Sequence, residues 1–122
     1  MIKISIIGSG NVAQHLIKII AITQNLDLVQ VVVRKPDAIS NLVEDHKICT
    51  DYAKITSADL YIIAVSDDAI NSVSLNLPFK NKLVVHTSGS AAMNVIDVKN
   101  NRGVFYPLQI LRDNQTYYFS DT

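Results

Sequence analysis

Six short runs of apolar residues, separated by more polar segments, divide this chain. Most of these runs are continuous and rich in β-branched residues, which is typical of strands covered on both faces in a parallel sheet. We predict strands at residues 3–7, 28–33, 47–50, 60–65, 83–86 and 103–106. The polar and aromatic residues 114–122 show no pattern that predicts an element of their own.

Apolar residues at helical spacing lie between the predicted strands. Four stripes are predicted: Val12, Leu16, Ile19 and Ile20; Ile39, Leu42 and Val43, after Pro36; Ile70 and Val73; and Val95 and Ile96, in a helix that begins near Ser90. Ser66 or Asp67 can cap the third helix, which is expected to end before Pro78. A short helix is also expected at residues 52–55.

The alternation of strands and helices predicts right-handed crossovers and a doubly wound parallel sheet. We therefore expect an α/β, Rossmann-like fold with the strand order 3-2-1-4-5-6, as a single domain over residues 1–122. With 122 residues, 48% of them hydrophobic and 18% charged, the chain can bury one ordinary core.

Composition argues against several classes of partner. Eleven basic and eleven acidic residues leave no net charge to attract nucleic acid or an anionic membrane. No apolar run approaches the roughly 20 residues of a spanning helix, and the lone Cys49 fits a reducing cytoplasm. His15, His46 and His86 lack ligand spacing with Cys49, so no metal site is expected.

A glycine-bearing turn follows the first predicted strand and opens the first predicted helix. It reads Gly8-Ser9-Gly10-Asn11-Val12-Ala13. Gly8 permits the tight turn, Gly10 lets the backbone approach a pyrophosphate, and Ala13 allows close packing of helix on strand. Free amides at the helix start would face the phosphates. The alternatives are a purely structural turn and the glycine turn of a methyltransferase.

The end of the second strand bears on the choice of cofactor. An NAD site usually has a carboxylate there for the ribose hydroxyls, whereas this chain reads Val33-Arg34-Lys35. A guanidinium can bind a 2′-phosphate with two hydrogen bonds, and Lys35 can add charge, so NADP is favoured. The alternative is that both basic residues are simply solvated.

Polar residues also follow the fourth and fifth strands. Val65 and Ser66 could contact a dinucleotide, although capping alone would explain Ser66. His86 could act as a general acid or base, with Ser88 and Ser90 orienting a substrate carbonyl or carboxylate. The alternative is a turn into a capped helix, with His86 a satisfied strand terminus. Tyr106 is a further candidate hydrogen-bond donor or a buried aromatic residue.

Four segments together resemble a known family: Gly8-Ser9-Gly10-Asn11-Val12-Ala13, Ala64-Val65-Ser66-Asp67-Asp68-Ala69-Ile70, His86-Thr87-Ser88-Gly89-Ser90 and Gly103-Val104-Phe105-Tyr106-Pro107-Leu108-Gln109. They are similar to the amino-terminal, Rossmann-like domain of an oxidoreductase family related to deazaflavin-dependent NADP oxidoreductases. Similar sheets occur in pyrroline-carboxylate reductases and in the 6-phosphogluconate dehydrogenase-like superfamily. The resemblance spans nearly all of the chain.

The resemblance implies an NADP-linked reductase or dehydrogenase. Our own hypothesis is that this chain is its cofactor domain and that hydride passes to or from a small carbonyl or imine. The implied cofactor contacts are Gly8, Ser9, Gly10, Asn11, Val12, Arg34, Val65, Ser66, Thr87 and Ser88. Such relatives carry a helical carboxyl-terminal domain that often builds a homodimer, and we expect the chain to stop before it. A non-catalytic module that binds NADP or docks a partner is the alternative.

Overall fold

The computed structural model describes residues 1–88, 91–106, 109–112 and 116–118. The strands are β1 (Ile2–Ile7), β2 (Leu26–Val32), β3 (Ile48–Cys49), β4 (Leu60–Ile63), β5 (Leu83–His86), β6 (Asn101–Tyr106), β7 (Gln109–Arg112) and β8 (Thr116–Tyr118). They form one sheet in the order β3-β2-β1-β4-β5-β6-β7-β8. Strands β1 to β6 pair with one another in parallel, which confirms the predicted order 3-2-1-4-5-6.

Two helices cover opposite faces of this sheet, α1 (Asn11–Ile22) and α2 (Asp67–Asn76). Side chains alternate between the faces of a strand, so neighbouring residues of β1 enter different cores. Ile6 packs in the core under α1, which we call the first core, and Ile7 packs with Ile70 of α2 in the second core. Burial on both faces explains why the strands are continuously apolar.

Helix α1 buries Leu16 and Ile20 as predicted, but its buried face is rotated away from the other two residues of the predicted stripe. Its buried residues are Ala13, Leu16, Ile17 and Ile20. This set has the i, i+3, i+4, i+7 spacing of one helical face. Val12 and Ile19, assigned to the buried stripe from the sequence, are instead 53% and 39% exposed. Because the small Ala13 faces the sheet, Val12 and Ile19 lie on the exposed side of the helix.

The stripe after Pro36 does not form an α-helix, so that prediction is wrong. A 3-10 helix covers only Pro36–Ala38, and the amides of Leu42 and Val43 then both donate to the carbonyl of Ile39. Ile39 is fully buried in the first core, with the other two apolar side chains packed against it. A turn suffices to bury a stripe this short, and helix nucleation is costly.

Two other predicted helices are short 3-10 segments. The one expected at residues 52–55 covers Tyr52–Lys54. The one expected to carry Val95 and Ile96 covers Met93–Val95, and its predicted start near Ser90 lies outside the described residues. Helix α2, by contrast, has Ser66 as its N-cap and ends before Pro78, as predicted.

Strands β7 and β8 were not predicted, and β8 falls within the segment for which we expected no element. Both are antiparallel to their neighbours, β7 to β6 and β8 to β7. These strands have only four and three residues. An alternating pattern has too few positions in such short strands to be recognised from the sequence. Within the described residues the longest helix has 12 residues, and none could cross a bilayer.

Replacing Tyr61 with Phe is expected to lower the free energy of unfolding by about 1–3 kcal/mol. The Tyr61 hydroxyl accepts a hydrogen bond from the buried Ala58 amide at 2.9 Å and donates to the Thr56 carbonyl at 2.9 Å. Phenylalanine keeps the ring and its stacking on Phe79 but leaves that amide without its acceptor. Urea denaturation measures the loss.

The matched control is Tyr52→Phe, because the Tyr52 hydroxyl makes no hydrogen bond to any described residue. Its unfolding midpoint is expected to equal that of the wild type. Equal midpoints for all three proteins would show that the Tyr61 hydroxyl contributes nothing to stability.

Candidate functional site

A cavity of about 490 Å³ opens at the carboxyl edge of the parallel strands. Its walls come from the ends of β1, β2 and β4, the residue after β5, the first turn of α1, the first two turns of α2, and Tyr52 after β3. Strand β1 lies between β2 and β4, and its chain leaves toward one face while the chain from β4 leaves toward the other. Crevices at such a switch point are where open α/β sheets bind ligands.

Gly8 is required by the fold itself. Its φ is +132°, and a β-carbon there would lie 2.1 Å from the carbonyl oxygen of Ala64. The Gly8 amide donates to the Val32 carbonyl at 2.9 Å, and the Ala64 amide donates to the Ile7 carbonyl at 2.8 Å. These bonds hold the ends of β1, β2 and β4 together at the cavity floor.

Gly10 is not required by the fold in this way. Its φ is −77°, which any residue adopts, and a β-carbon there would meet no atom within 4 Å. It is the N-cap of α1, yet no side chain caps the helix and no acidic residue lies in the first turn. The missing side chain therefore leaves open space in the cavity wall, next to amides that have no partner within the helix.

The rest of the turn is held by contacts away from the cavity. Gln14 donates from its side-chain Nε2 to the Ser9 carbonyl at 2.9 Å. Ala13 is fully buried in the first core, as its predicted packing role requires. Ser9, Asn11 and Val12 line the cavity beside the two glycines.

Of the two basic residues after β2, only Arg34 lines the cavity. Lys35 is exposed and lies outside the cavity wall, as the N-cap of the segment Pro36–Ala38. Tyr52 lines the cavity as well. Burial raises the pKa of Tyr52 above its usual value, and the positive charge of Arg34 opposes part of that rise.

Val65 and Ser66, after β4, both line the cavity. Ser66 is the N-cap of α2 but its side chain makes no capping hydrogen bond. The capping explanation for this hydroxyl is therefore not what the structure shows, although the Ser66 carbonyl does accept a bond from the Ala69 amide. The hydroxyl is exposed at the cavity edge.

Of the predicted acid-base cluster after β5, the structure describes His86 and Ser88, and neither lines the cavity. Thr87 lines it, but His86 is fully buried and outside its wall. His86 accepts a bond from the Ser88 amide at Nδ1, so Nε2 carries the proton and donates to the Ala92 carbonyl at 3.0 Å. Ser88 lies outside the wall too, and its Oγ accepts from the Ala91 amide. The two ring bonds of His86 fit a satisfied strand terminus.

Two further predicted residues cannot be placed at the cavity, and other residues that line it were not predicted. Ser90 is outside the described residues, and the Tyr106 side chain is not described. Tyr52, Ala69 and Val73 line the cavity but were not assigned to it. The signal for Tyr52 is its position after β3, at the same sheet edge. Among the described residues no three His, Cys, Asp or Glu side chains are grouped to hold a metal.

The strand order and the glycine turn at the switch point define a Rossmann-like α/β domain. The sequence model of the family described as NADP oxidoreductase, coenzyme F420-dependent, matches residues 3–90, and the chain belongs to that family. A comparison with curated proteins found no match.

Solved structures are similar as well. The putative NADP oxidoreductase BF3122 from Bacteroides fragilis is 32% identical with a TM-score of 0.71, over 88% of this chain and 44% of that one. Protein TM1727 from Thermotoga maritima is 18% identical with a TM-score of 0.60, over 83% and 38%. A Gfo/Idh/MocA family oxidoreductase from Vibrio cholerae is 22% identical with a TM-score of 0.60, over 75% and 31%. The last two show the fold alone, and the chain spans less than half of each structure.

Proposed function

We propose that the cavity binds NADP and that this chain is the cofactor-binding domain of an oxidoreductase. The observation that carries the proposal is Gly10, which has no reason in the fold to be glycine and leaves open space in the cavity wall. Membership of an oxidoreductase family supports the same conclusion. The cofactor would supply the hydride chemistry, with a small carbonyl or imine as the second substrate.

The pyrophosphate is assigned to the start of α1. The first amides of a helix have no partner within it and carry the positive end of the helix dipole, so they favour an anion. Gly10 lets the phosphate approach the backbone without meeting a side chain. Gly8 contributes differently, because it holds the turn closed against β4.

Arg34 is assigned to the 2′-phosphate of the adenosine ribose. It lies in the cavity wall after β2, where the chain carries no carboxylate to bind free ribose hydroxyls. A guanidinium offers a planar pair of donors that matches a phosphate. Lys35 is outside the wall and contributes only longer-range charge.

The nicotinamide end is assigned to Val65, Ser66 and Thr87, on the far side of the glycine turn from Arg34. Val65 supplies an apolar contact, and the two hydroxyl groups can hydrogen-bond a carboxamide. A general acid-base role for His86 would need the ring to leave the bonds that now engage both of its nitrogens. The roles predicted for Ser88 and Ser90 stay predictions.

The test is titration of NADPH fluorescence against wild type, Arg34→Ala and the control Lys35→Ala. Loss of a bidentate bond to a phosphate costs about 1.5–3 kcal/mol, so NADPH affinity is expected to fall on the order of 10- to 150-fold in Arg34→Ala. NADH affinity is expected to stay unchanged. Lys35→Ala removes the same charge outside the cavity, and its effect is expected to be several-fold smaller. Equal NADPH affinity of Arg34→Ala and wild type would remove the assignment.

A non-catalytic module that binds NADP or docks a partner is the second candidate. The exposed apolar residues Val12, Ile19 and Ile22 on one face of α1 favour it. Hydride transfer from NADPH to any carbonyl or imine by the purified protein would exclude it. Uptake of S-adenosylmethionine with no uptake of NADPH would instead support a methyltransferase. The homodimer, the cytoplasmic location and the lack of a nucleic-acid partner stay predictions from the sequence.

A further inference from the structure

Tyr52 occupies a fixed position in the cavity wall. It begins the 3-10 segment Tyr52–Lys54, whose backbone is held by Asp51: the Asp51 carboxylate accepts from the Ala53 amide at 2.9 Å, and the Asp51 carbonyl accepts from Cys49 Sγ at 3.0 Å. The Tyr52 side chain is half-buried against the second core. Its ring is therefore positioned by packing before any ligand arrives.

The Tyr52 hydroxyl is unused within the part of the chain that the structure describes. No described residue hydrogen-bonds to it. Burial raises the pKa of Tyr52, and the charge of Arg34, which lines the same cavity, opposes this rise without cancelling it. The phenol therefore keeps its proton at neutral pH and can donate a hydrogen bond.

We infer that Tyr52 is a specificity-determining residue, and that its hydroxyl donates a hydrogen bond to the same phosphomonoester that Arg34 binds. The inference rests on the proposed function, because the phosphomonoester is the 2′-phosphate of the proposed ligand. A phosphomonoester presents three terminal oxygens, of which a bidentate guanidinium occupies two. The phenol supplies a donor for the third. A donor to a charged oxygen binds about twice as strongly as one to a neutral hydroxyl, so Tyr52 favours the phosphorylated ligand.

The test measures NADPH and NADH affinity by calorimetry on wild type and Tyr52→Phe. Because only the hydroxyl is removed, and it has no described partner, the variant is expected to unfold at the wild-type temperature. NADPH affinity is expected to fall on the order of tenfold, with a loss of about threefold or less for NADH. In an Arg34→Ala background, where the phosphate is no longer held in place, the effect of Tyr52→Phe on NADPH is expected to shrink to less than threefold.

Two outcomes would overturn the inference. Unchanged NADPH affinity in Tyr52→Phe would show that the hydroxyl does not reach the ligand, and equal losses for NADPH and NADH would place its contact on a part that both share. If Tyr52→Phe lowered NADPH affinity equally in the wild-type and Arg34→Ala backgrounds, the two side chains would not bind the same phosphate. Failure of the proposed function is a separate result, since the wild-type protein would then bind neither coenzyme.

Discussion

Gly10→Ser is expected to abolish NADPH binding while leaving the protein folded. A β-carbon on Gly10 meets nothing within 4 Å, so the fold accepts the new side chain. Serine and glycine differ by only a few tenths of a kcal/mol at a helix N-cap. The new hydroxyl would, however, occupy the open space at the start of α1 and could accept a bond from one of the amides assigned to the pyrophosphate.

The expected loss follows from the bonds that the phosphate would forfeit. Displacing it from two charge-assisted bonds, each contributing about 1.5–3 kcal/mol, lowers affinity by at least about 100-fold. Calorimetry with NADPH and a urea melt on the same sample separate binding from stability. Ala21→Ser, which adds a hydroxyl at an exposed position near the other end of α1, is the control. Wild-type NADPH affinity in Gly10→Ser would place the pyrophosphate elsewhere.

Gly8→Ala is expected to have the opposite outcome, a loss of folded protein. The new β-carbon would lie 2.1 Å from the Ala64 carbonyl oxygen, a backbone atom that cannot move without breaking the pairing of β1 with β4. Strain at a φ of +132° adds about 1–3 kcal/mol to an overpacking cost of similar size. The sum, on the order of 2–6 kcal/mol, is a large part of a typical stability of about 5–15 kcal/mol.

Circular dichroism during urea denaturation measures this loss. Gly10→Ala is the matched control, because it adds the same methyl group two residues later, in open space. It is expected to cost no more than about 1 kcal/mol, the difference between glycine and alanine at an N-cap. If Gly8→Ala and Gly10→Ala unfolded at the same urea concentration, the close approach of Gly8 to β4 would be refuted.

The fold could be predicted from the sequence where apolar runs and helical periods are long. Strands β1, β2 and β4 are buried on both faces, so their residues are almost continuously apolar, and such runs predict strands of a parallel sheet. The stripe at residues 39–43 spans one turn, and such a spacing fits a buried turn as well as a helix. Strands β7 and β8 each pair with the strand just before them, but with four and three residues they are too short for an alternating pattern to stand out.

The candidate site could be predicted where backbone chemistry determines it. The glycine turn needs particular residue types at fixed spacing, and Arg34 follows directly from the end of β2. His86 shows the limit of this reasoning. A polar residue at a strand end can face the cavity or turn inward, and the path of the following residues, which brings the Ala92 carbonyl to its ring, decides between them.

Strand β3 has a consequence for how copies of this protein meet. An edge strand offers unpaired backbone groups that can recruit a strand from another molecule, and a long, flat edge strand is prone to aggregation. With only the two residues Ile48–Cys49, β3 presents too short a template for this, and the chain turns away at once into Asp51 and Tyr52. Addition of a strand from a second molecule at this edge of the sheet is therefore disfavoured.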